Sequence, residues 1–469
     1  MAGNAKINVK PFGLADKAGY AFGDFGNDFT FMLSSMFMMK FYTDVMGVAP
    51  GIVGGLMMAA RFVDAVTDVT MGQIVDRSRP TKDGKFKPWI RRMCGPLGIS
   101  AFLIFQSAFA GMPMAFKIFW MFFTYLMWGS VFYTSVNIPY GSMASAVSAD
   151  SNDRAQLSTF RNIGATLASL IIGTGTPMFA YVTVDGATVL SGSRMTVIAG
   201  IFAVCGIICH LLCFRLVTER VEVPQNTSKL NIGAMLKSIL TNRALLGIIA
   251  AAILLLLGML GMTGMAPYVF PVYYNNGSAQ SLSSLASNLA VLFICAPFAA
   301  RIAAKAGKKE MSAVGCLISA AIWLVCLVIR PSNVLVFVGF YTASYIFLGL
   351  FNTVIWAMIT DVIDDAEVKN HIREDGAIYS VYSFARKLGQ ALSSGMIGAL
   401  LTMIGYNNMV AANPAAYPEI LDSLFNLSCI IPAAGMGAVA LALIFIYPLT
   451  KSRVDGNVAE LARRRNSGR

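Results

Sequence analysis

The sequence predicts an all-α membrane protein of twelve transmembrane helices arranged as two six-helix halves. Composition is the first observation. The 469 residues are 56% hydrophobic and 13% charged, with a mean hydropathy of +0.65, whereas a soluble chain carries about a quarter charged residues. The second is recurrence. Apolar segments long enough to span, each needing ~20 residues, read at 20–43, 50–76, 88–111, 115–147, 155–182, 194–215, 238–270, 280–304, 311–330, 333–363, 376–404 and 424–447. The third is charge position. With the N-terminus cytoplasmic, the basic clusters Lys6–Lys17, Arg77–Arg92, Arg215–Arg243, Arg301–Lys309, Lys369–Arg373 and Lys451–Arg469 all fall on one face, and little beyond Lys117, Arg194 and Arg330 falls on the other. That asymmetry is the positive-inside pattern. The net charge of +12 is therefore read as topology, with both termini cytoplasmic and the lipid bilayer as the partner, and not as a nucleic-acid footprint.

No cleavable signal peptide is visible in the polar first 19 residues, so the first span is expected to target the chain. The eight Cys lie in or beside apolar segments without framework spacing, and no disulfides are expected. Cys205, Cys209 and Cys213 share a helix face near His210; packing between helices is favoured there over a metal site, since His210 and His371 are the only histidines.

Two halves are visible as internal echoes. The basic loops DRSRPTKDGKFKP and ARIAAKAGKKE stand six spans apart. So do Ser158-Thr-Phe-Arg161-Asn-Ile-Gly164 in span five and Ser383-Phe-Ala-Arg386-Lys-Leu-Gly389 in span eleven, both S-x-x-R-x-x-G. The expected organisation is a first half 1–217, a linker 218–236 carrying Pro224, Asn226 and Ser228, a second half 237–450 and a basic tail 451–469. Parallel six-span repeats describe the major facilitator architecture, in which substrate binds near the midplane.

Charges inside spans mark candidate sites, because they are costly at membrane depth. Span two carries Arg61, Asp64 and Asp68 after the apolar run Gly51–Ala60. Their three- and four-residue spacing puts them on one helix face, and a carboxylate pair there is suited to holding a cation. Span one carries Asp24 and Asp28 four apart. Asp24 reads as wet, close to the membrane surface, and Asp28 as the deeper cavity residue. Lys40 and Asp44 read as snorkelling at the far end. Span four reads Tyr133-Thr134-Ser-Val-Asn137-Ile-Pro139; Pro139 removes a backbone donor and loosens the helix beside Thr134 and Asn137. The bland alternative is a kink with small residues for packing. Arg161, Arg386 and Lys387 place three cations in spans, with Asp28, Asp64 and Asp68 as the expected counter-charges. Trp356 offers an aromatic face to a sugar ring, against a plain packing role. Asp361, Asp364, Asp365 and Glu367 read as a solvated helix end.

The motifs YAFGDFGNDF from Tyr20, FYTDVMGV from Phe41, RFVDAVTD from Arg61, GKFKPW from Gly84, NIPYGS from Asn137 and YSFARKLGQAL from Tyr382 resemble the glycoside–pentoside–hexuronide:cation symporters, the family of the melibiose and glucuronide carriers, over essentially the whole chain. The resemblance implies that Asp64 and Asp68 are cation-site carboxylates with Thr134 as a supporting oxygen. It implies that Asp28 is a sugar-binding carboxylate, that Tyr133 lines the sugar site, and that Arg161 and Lys387 are functional cations. Against the melibiose type, a second sugar-binding aspartate is Asn137 here, a nearby tryptophan is Gly141, and the asparagine between the cation aspartates is Thr67, which joins the cation-site candidates. The first two changes favour a glucuronide-type or other glycoside over melibiose, and the third leaves Na⁺ and H⁺ both open as the coupling cation.

The expected function is cation-coupled import of a glycoside, pentoside or hexuronide by alternating access. The substrate-binding set is Asp28, Tyr133, Asn137, Arg161, Trp356, Arg386 and Lys387. No cofactor is expected beyond the coupling cation, and the only metal in question is Na⁺ at Asp64 and Asp68. A monomer is implied by the resemblance, with room for a cytoplasmic regulatory partner. Rival readings are a lysolipid or amphiphile carrier of the same superfamily, a non-transporting sugar sensor, and an intramembrane glycosidase. The last is disfavoured because one continuous helix face is a poor geometry for an acid and a base flanking a bond.

Overall fold

The computed structural model describes residues 11–221, 242–370 and 375–467. The expected linker 218–236 lies outside them from residue 222 onward, as does His371. Helical stretches correspond to each of the twelve apolar segments. Among the described residues, nine are long and apolar enough to cross a membrane: Lys87–Gly111, Met114–Val147, Asn152–Ala180, Gly192–Leu216, Arg243–Tyr273, Gly277–Ala306, Lys308–Ile329, Val334–Lys369 and Pro418–Ile446. Three more of spanning length are α1 (Leu14–Lys40), α2 (Pro50–Arg77) and a helix at Asp375–Met403. These three carry the intramembrane charges Asp24, Asp28, Asp64, Asp68, Arg386 and Lys387, which dilute their hydropathy.

The chain divides into two compact units. One comprises Met1–Phe41, Val63–Thr176 and Ser191–Ser228; the other comprises Tyr42–Phe62, Pro177–Leu190 and Lys229–Arg469.

In the first unit, α3 (Lys87–Ile104) begins where the basic loop meets a carboxylate. The backbone N–H groups of Lys85, Phe86 and Lys87 donate to Glu219 at 2.7, 2.9 and 2.8 Å. These are donors that a helix start would otherwise leave unpaired. Gly84 makes the approach possible: its φ is +109° and a Cβ there would lie 2.5 Å from the Glu219 carboxyl carbon. Arg220 then clamps Asp16 of α1, Nη2 to Oδ2 at 2.8 Å and Nη1 to Oδ1 at 3.0 Å.

Helix α4 (Met114–Leu126) widens into a π-helical turn, Met127–Tyr133, before continuing as α5 (Thr134–Val147). After α6 (Ser151–Ala180) and before α7 (Gly192–Leu216), an all-helical reading needs one addition. Tyr181–Val184 and Ala187–Leu190 pair as an antiparallel hairpin, with Val184 opposite Ala187. Asp185 and Gly186 turn it with φ of 50° and 83°, the positive values that a two-residue hairpin turn needs.

In the second unit, α8 (Arg243–Tyr268) is capped by Asn242, which accepts from Ala244 and Leu245 N–H at 3.0 and 3.2 Å. The apolar core runs through Leu245, Ile248, Phe351, Ile355, Met358 and Leu443, all fully buried. The first half of α2 packs here on Asp375–Met403: a Cβ on Gly54 would sit 2.9 Å from the Gly398 Cα, so the helices meet backbone to backbone.

The expectations for Asp361, Asp365 and Lys40 are corrected. Asp365 is 1% exposed and is no solvated end. It takes Lys369 at 2.5 Å, Arg453 at 3.3 Å and Asn457 at 3.1 Å, because the helix Lys451–Ser467 packs over it. Asp361 likewise is buried and pairs with Lys308 at 2.6 Å. Asp44 is half-buried and accepts from the Tyr406 hydroxyl at 3.1 and 3.2 Å. Lys40 is 1% exposed and does not snorkel.

Candidate functional site

Two helices bring four oxygen-bearing side chains together in the first unit. On α2, Asp64 and Asp68 stand one turn apart. Facing them, Ser130 in the π-helical turn and Thr134 at the start of α5 are also four residues apart. Ser130 Oγ donates to Asp64 Oδ1 at 2.5 Å, and Thr134 Oγ1 to Asp68 Oδ1 at 2.8 Å. Thr134 Oγ1 also lies 3.1 Å from the Gly129 carbonyl, on the stretch where π-helical widening loosens the backbone ladder. Asp64, Ser130 and Thr134 are 7, 4 and 3% exposed. Carboxylates, hydroxyls and a carbonyl make an oxygen-only set suited to a hard cation or to a proton shared by the pair. Thr67 turns back on its own helix, its hydroxyl donating to the Asp64 carbonyl at 3.2 Å. Arg61 precedes Asp64 by about one turn on the same helix.

Beside this set, α1, α5 and α6 hold a second constellation. Arg161 Nε donates to Asp24 Oδ1 at 2.9 Å, and its guanidinium lies 5.5 Å from the Tyr140 ring centre. Asp24, which the sequence reads as wet, is thus buried and is the ion-pair partner of Arg161. Tyr140 in turn stacks on Tyr20 at 4.6 Å; its hydroxyl donates to the Tyr20 carbonyl at 2.6 Å, and the Tyr20 hydroxyl donates back to the Tyr140 carbonyl at 3.3 Å. Gly23 and Gly164 let these helices close: a Cβ on Gly23 would run into the Tyr140 ring, and one on Gly164 into the Ala21 carbonyl. Asp28 lies one turn beyond Asp24, half-buried, and forms no hydrogen bond or ion pair among the described residues. Asn137 contacts Asn27 at 3.5 Å. Tyr133 stacks with Phe31 at 5.7 Å and tilts against Trp128 at 5.7 Å.

The second unit gathers its own candidates. Arg386 lies 5.4 Å over the Trp356 ring and donates to the Tyr382 hydroxyl at 3.5 Å, and Trp356 meets Tyr382 edge-on at 5.1 Å. Trp356 is therefore a cation–aromatic partner of Arg386 and is still 43% exposed. Lys387 follows on the same helix, half-buried. Among the described residues no group of three or more His, Cys, Asp or Glu could hold a metal ion.

Sequence reasoning misses Ser130, Asn27 and Tyr140, and it gives Asp24 and His210 no place in the site. The signal for Ser130 is present: it repeats the four-residue spacing of the aspartates it serves.

Helices of spanning length, with carboxylates and hydroxyls turned toward one another inside them, define a polytopic membrane transporter. Residues 19–451 match the family described as MFS/sugar transport protein, and the chain belongs to that family, as a symporter of the glycoside–pentoside–hexuronide type. It is 31% identical over 448 residues to an uncharacterized symporter, YjmB, of Bacillus subtilis (strain 168), covering 94% of each chain. It is 27% identical over 453 residues to a glucuronide carrier protein homolog of Escherichia coli (strain K12), covering 95% of each. Among solved structures, a D-xylose-proton symporter shares the major facilitator fold at a TM-score of 0.63 and 13% identity, over 93% of this chain and 97% of that one. The family is one of transporters, not enzymes.

Proposed function

We propose that this protein imports a glycoside, pentoside or hexuronide, glucuronide-type before melibiose, together with Na⁺ or H⁺. The observation that carries the coupling is the register of Asp64 and Asp68 against Ser130 and Thr134. Two carboxylates near one arginine leave about one negative charge to neutralise, and a cation bound there would fix the α2–α5 contact on which the neighbouring sugar residues stand. The pair titrates as a unit, so neither aspartate owns a single proton affinity. The sugar set in the first unit is Asp28, Tyr133, Asn137 and Arg161, with Asp24 holding the arginine. Trp356, Arg386 and Lys387 are the candidate sugar residues within the second unit. Both termini are assigned to the cytoplasm by the positive-inside pattern.

Mutual stabilisation of cation and sugar is reciprocal in free energy. One net charge moving inward at 100 mV contributes ~2.3 kcal/mol. At ~1.4 kcal/mol per tenfold this sustains roughly fifty-fold accumulation. A uronide carried with one cation moves no net charge and forgoes that contribution. The test is uptake of labelled glycosides, pentosides and uronides into proteoliposomes under an imposed Na⁺ or proton gradient. Uphill uptake of one sugar class under one gradient supports the reading; equilibration without accumulation under both gradients contradicts it.

A further inference from the structure

His210, Asn27 and Asn137 form a line of polar groups from the interior of the first unit to its half-buried face. His210, on α7, is 1% exposed. Its Nδ1 lies 2.8 Å from the Gly206 carbonyl and its Nε2 3.1 Å from one end of the Asn27 amide. Asn27 is also 1% exposed, and its other amide end is 3.5 Å from Asn137, the outer limit of a hydrogen bond. Two glycines admit the ring: a Cβ on Gly26 would lie 2.9 Å from the imidazole Cε1, and one on Gly206 would lie 3.2 Å from the Gly26 carbonyl.

Chemistry gives this line a direction. A carbonyl only accepts, so Nδ1 carries a proton. A second proton on Nε2 would bury a cation, and among the described residues no carboxylate hydrogen-bonds the ring; an unpaired buried charge is far costlier than a neutral ring. Nε2 is then a bare lone pair. Asn27 is placed with its oxygen toward Nε2 and its NH₂ toward the Asn137 oxygen; amide oxygen and nitrogen are told apart only by their partners, so a neutral ring reverses this, and Asn27 turns its NH₂ to Nε2 and its oxygen to Asn137. Asn137 must answer with its own NH₂. What Asn137 then turns away from Asn27 is its carbonyl oxygen, with the second N–H of its NH₂ beside it.

We infer that His210 is a positioning residue which, through Asn27, fixes the orientation of the Asn137 amide, so that its carbonyl oxygen accepts a hydrogen bond from a substrate hydroxyl. The inference rests on the reading of Asn137 as a sugar contact.

The chain has two histidines, so ¹⁵N-histidine labelling with His371→Gln leaves one ring to observe. The expected spectrum is a neutral imidazole protonated on Nδ1, whose Nε2 resonance moves when a transported sugar saturates the protein and no longer moves in Asn137→Ala. In uptake, His210→Ala should raise the sugar KM about five-fold, as loss of one oriented hydrogen bond would, with the maximal rate within about two-fold. A ring protonated on Nε2, an imidazolium, or a resonance indifferent to bound sugar overturns the inference. A rate that falls as far as the affinity assigns His210 a merely structural role and overturns it too. Should none of the sugars bind the wild-type protein, the sugar-site reading falls, and the role of His210 with it, whatever the tautomer. If sugar binds and the tautomer is wrong, the inference falls alone.

Discussion

Ser130 donates its hydroxyl proton to Asp64 across a sequence separation of 66 residues, and Thr134 donates to Asp68 across the same 66. Two helical turns, one from each helix, are thereby matched hydroxyl to carboxylate. Hydrogen bonds to charged groups contribute ~1.5–3 kcal/mol each. Ser130→Ala and Thr134→Ala should each raise the cation concentration for half-maximal sugar uptake by roughly tenfold or more. Since both belong to one network, the double variant should deviate from the product of the two. Cation titrations of uptake check this; unchanged half-saturation in both variants would remove the hydroxyls from the site.

Asp24 and Arg161 form a pair of unequal exposure, the aspartate side chain 10% and the arginine 42% accessible. Removing one partner leaves the other's charge behind, and the loss is moderated by solvent on the arginine side. Asp24→Asn and Arg161→Gln should each lower stability by about 1–3 kcal/mol and weaken sugar binding. The double variant should recover part of the stability and none of the binding. Thermal unfolding and sugar titration of the three variants separate these outcomes.

Nine of the spans among the described residues are legible in the sequence because each is a long apolar run. Asp64 and Asp68 are legible because two carboxylates at membrane depth cost too much to persist without a use. Arg161 is visible for the same reason. Its partner is not, since Asp24 stands close to the polar start of the first segment, where water is the cheaper assumption, and the contact joins residues 137 apart. Ser130 is hidden because a serine in a span usually packs. The Asp185-Gly186 turn carries a hairpin signature, but Tyr181 beside it continues the apolar run of span five. Asp365 reads as solvated because nothing local to it announces that Arg453 and Asn457 return to cover it. What the sequence lacks in each case is a tertiary contact, not a local preference.

Gly84 tests the short basic loop. Its φ of +109° and the Glu219 carboxylate, 2.5 Å from where a Cβ would stand, both oppose a side chain. Gly84→Ala should destabilise by more than ~1 kcal/mol, read as a lower unfolding temperature. A variant as stable as the parent would mean that Glu219 does not cap α3 this way.

Tyr406 lies outside the spans. Burial first, and then the Asp44 carboxylate, push its phenol well above the ordinary range. A phenol raised in this way adds stability that is fully present below the unfolded value of about 10 and is lost as pH climbs toward the folded value. The hydroxyl therefore keeps donating to Asp44 throughout the neutral range. Tyr406→Phe should cost about 1–3 kcal/mol at neutral pH by leaving the half-buried Asp44 carboxylate short of a donor, with less difference from the parent in strongly alkaline solution. A difference that grows with pH would contradict this assignment.

Charge movement in reconstituted membranes shows whether Asp64 and Asp68 couple cation to sugar. Sugar-induced current or, for a uronide, ion-gradient-driven labelled uptake would be recorded for the parent, Asp64→Asn and Asp68→Asn, alongside sugar exchange at equal concentrations. Loss of current and of uphill accumulation is expected in both variants, with exchange retained in at least one. Undiminished uphill transport in both would contradict that coupling.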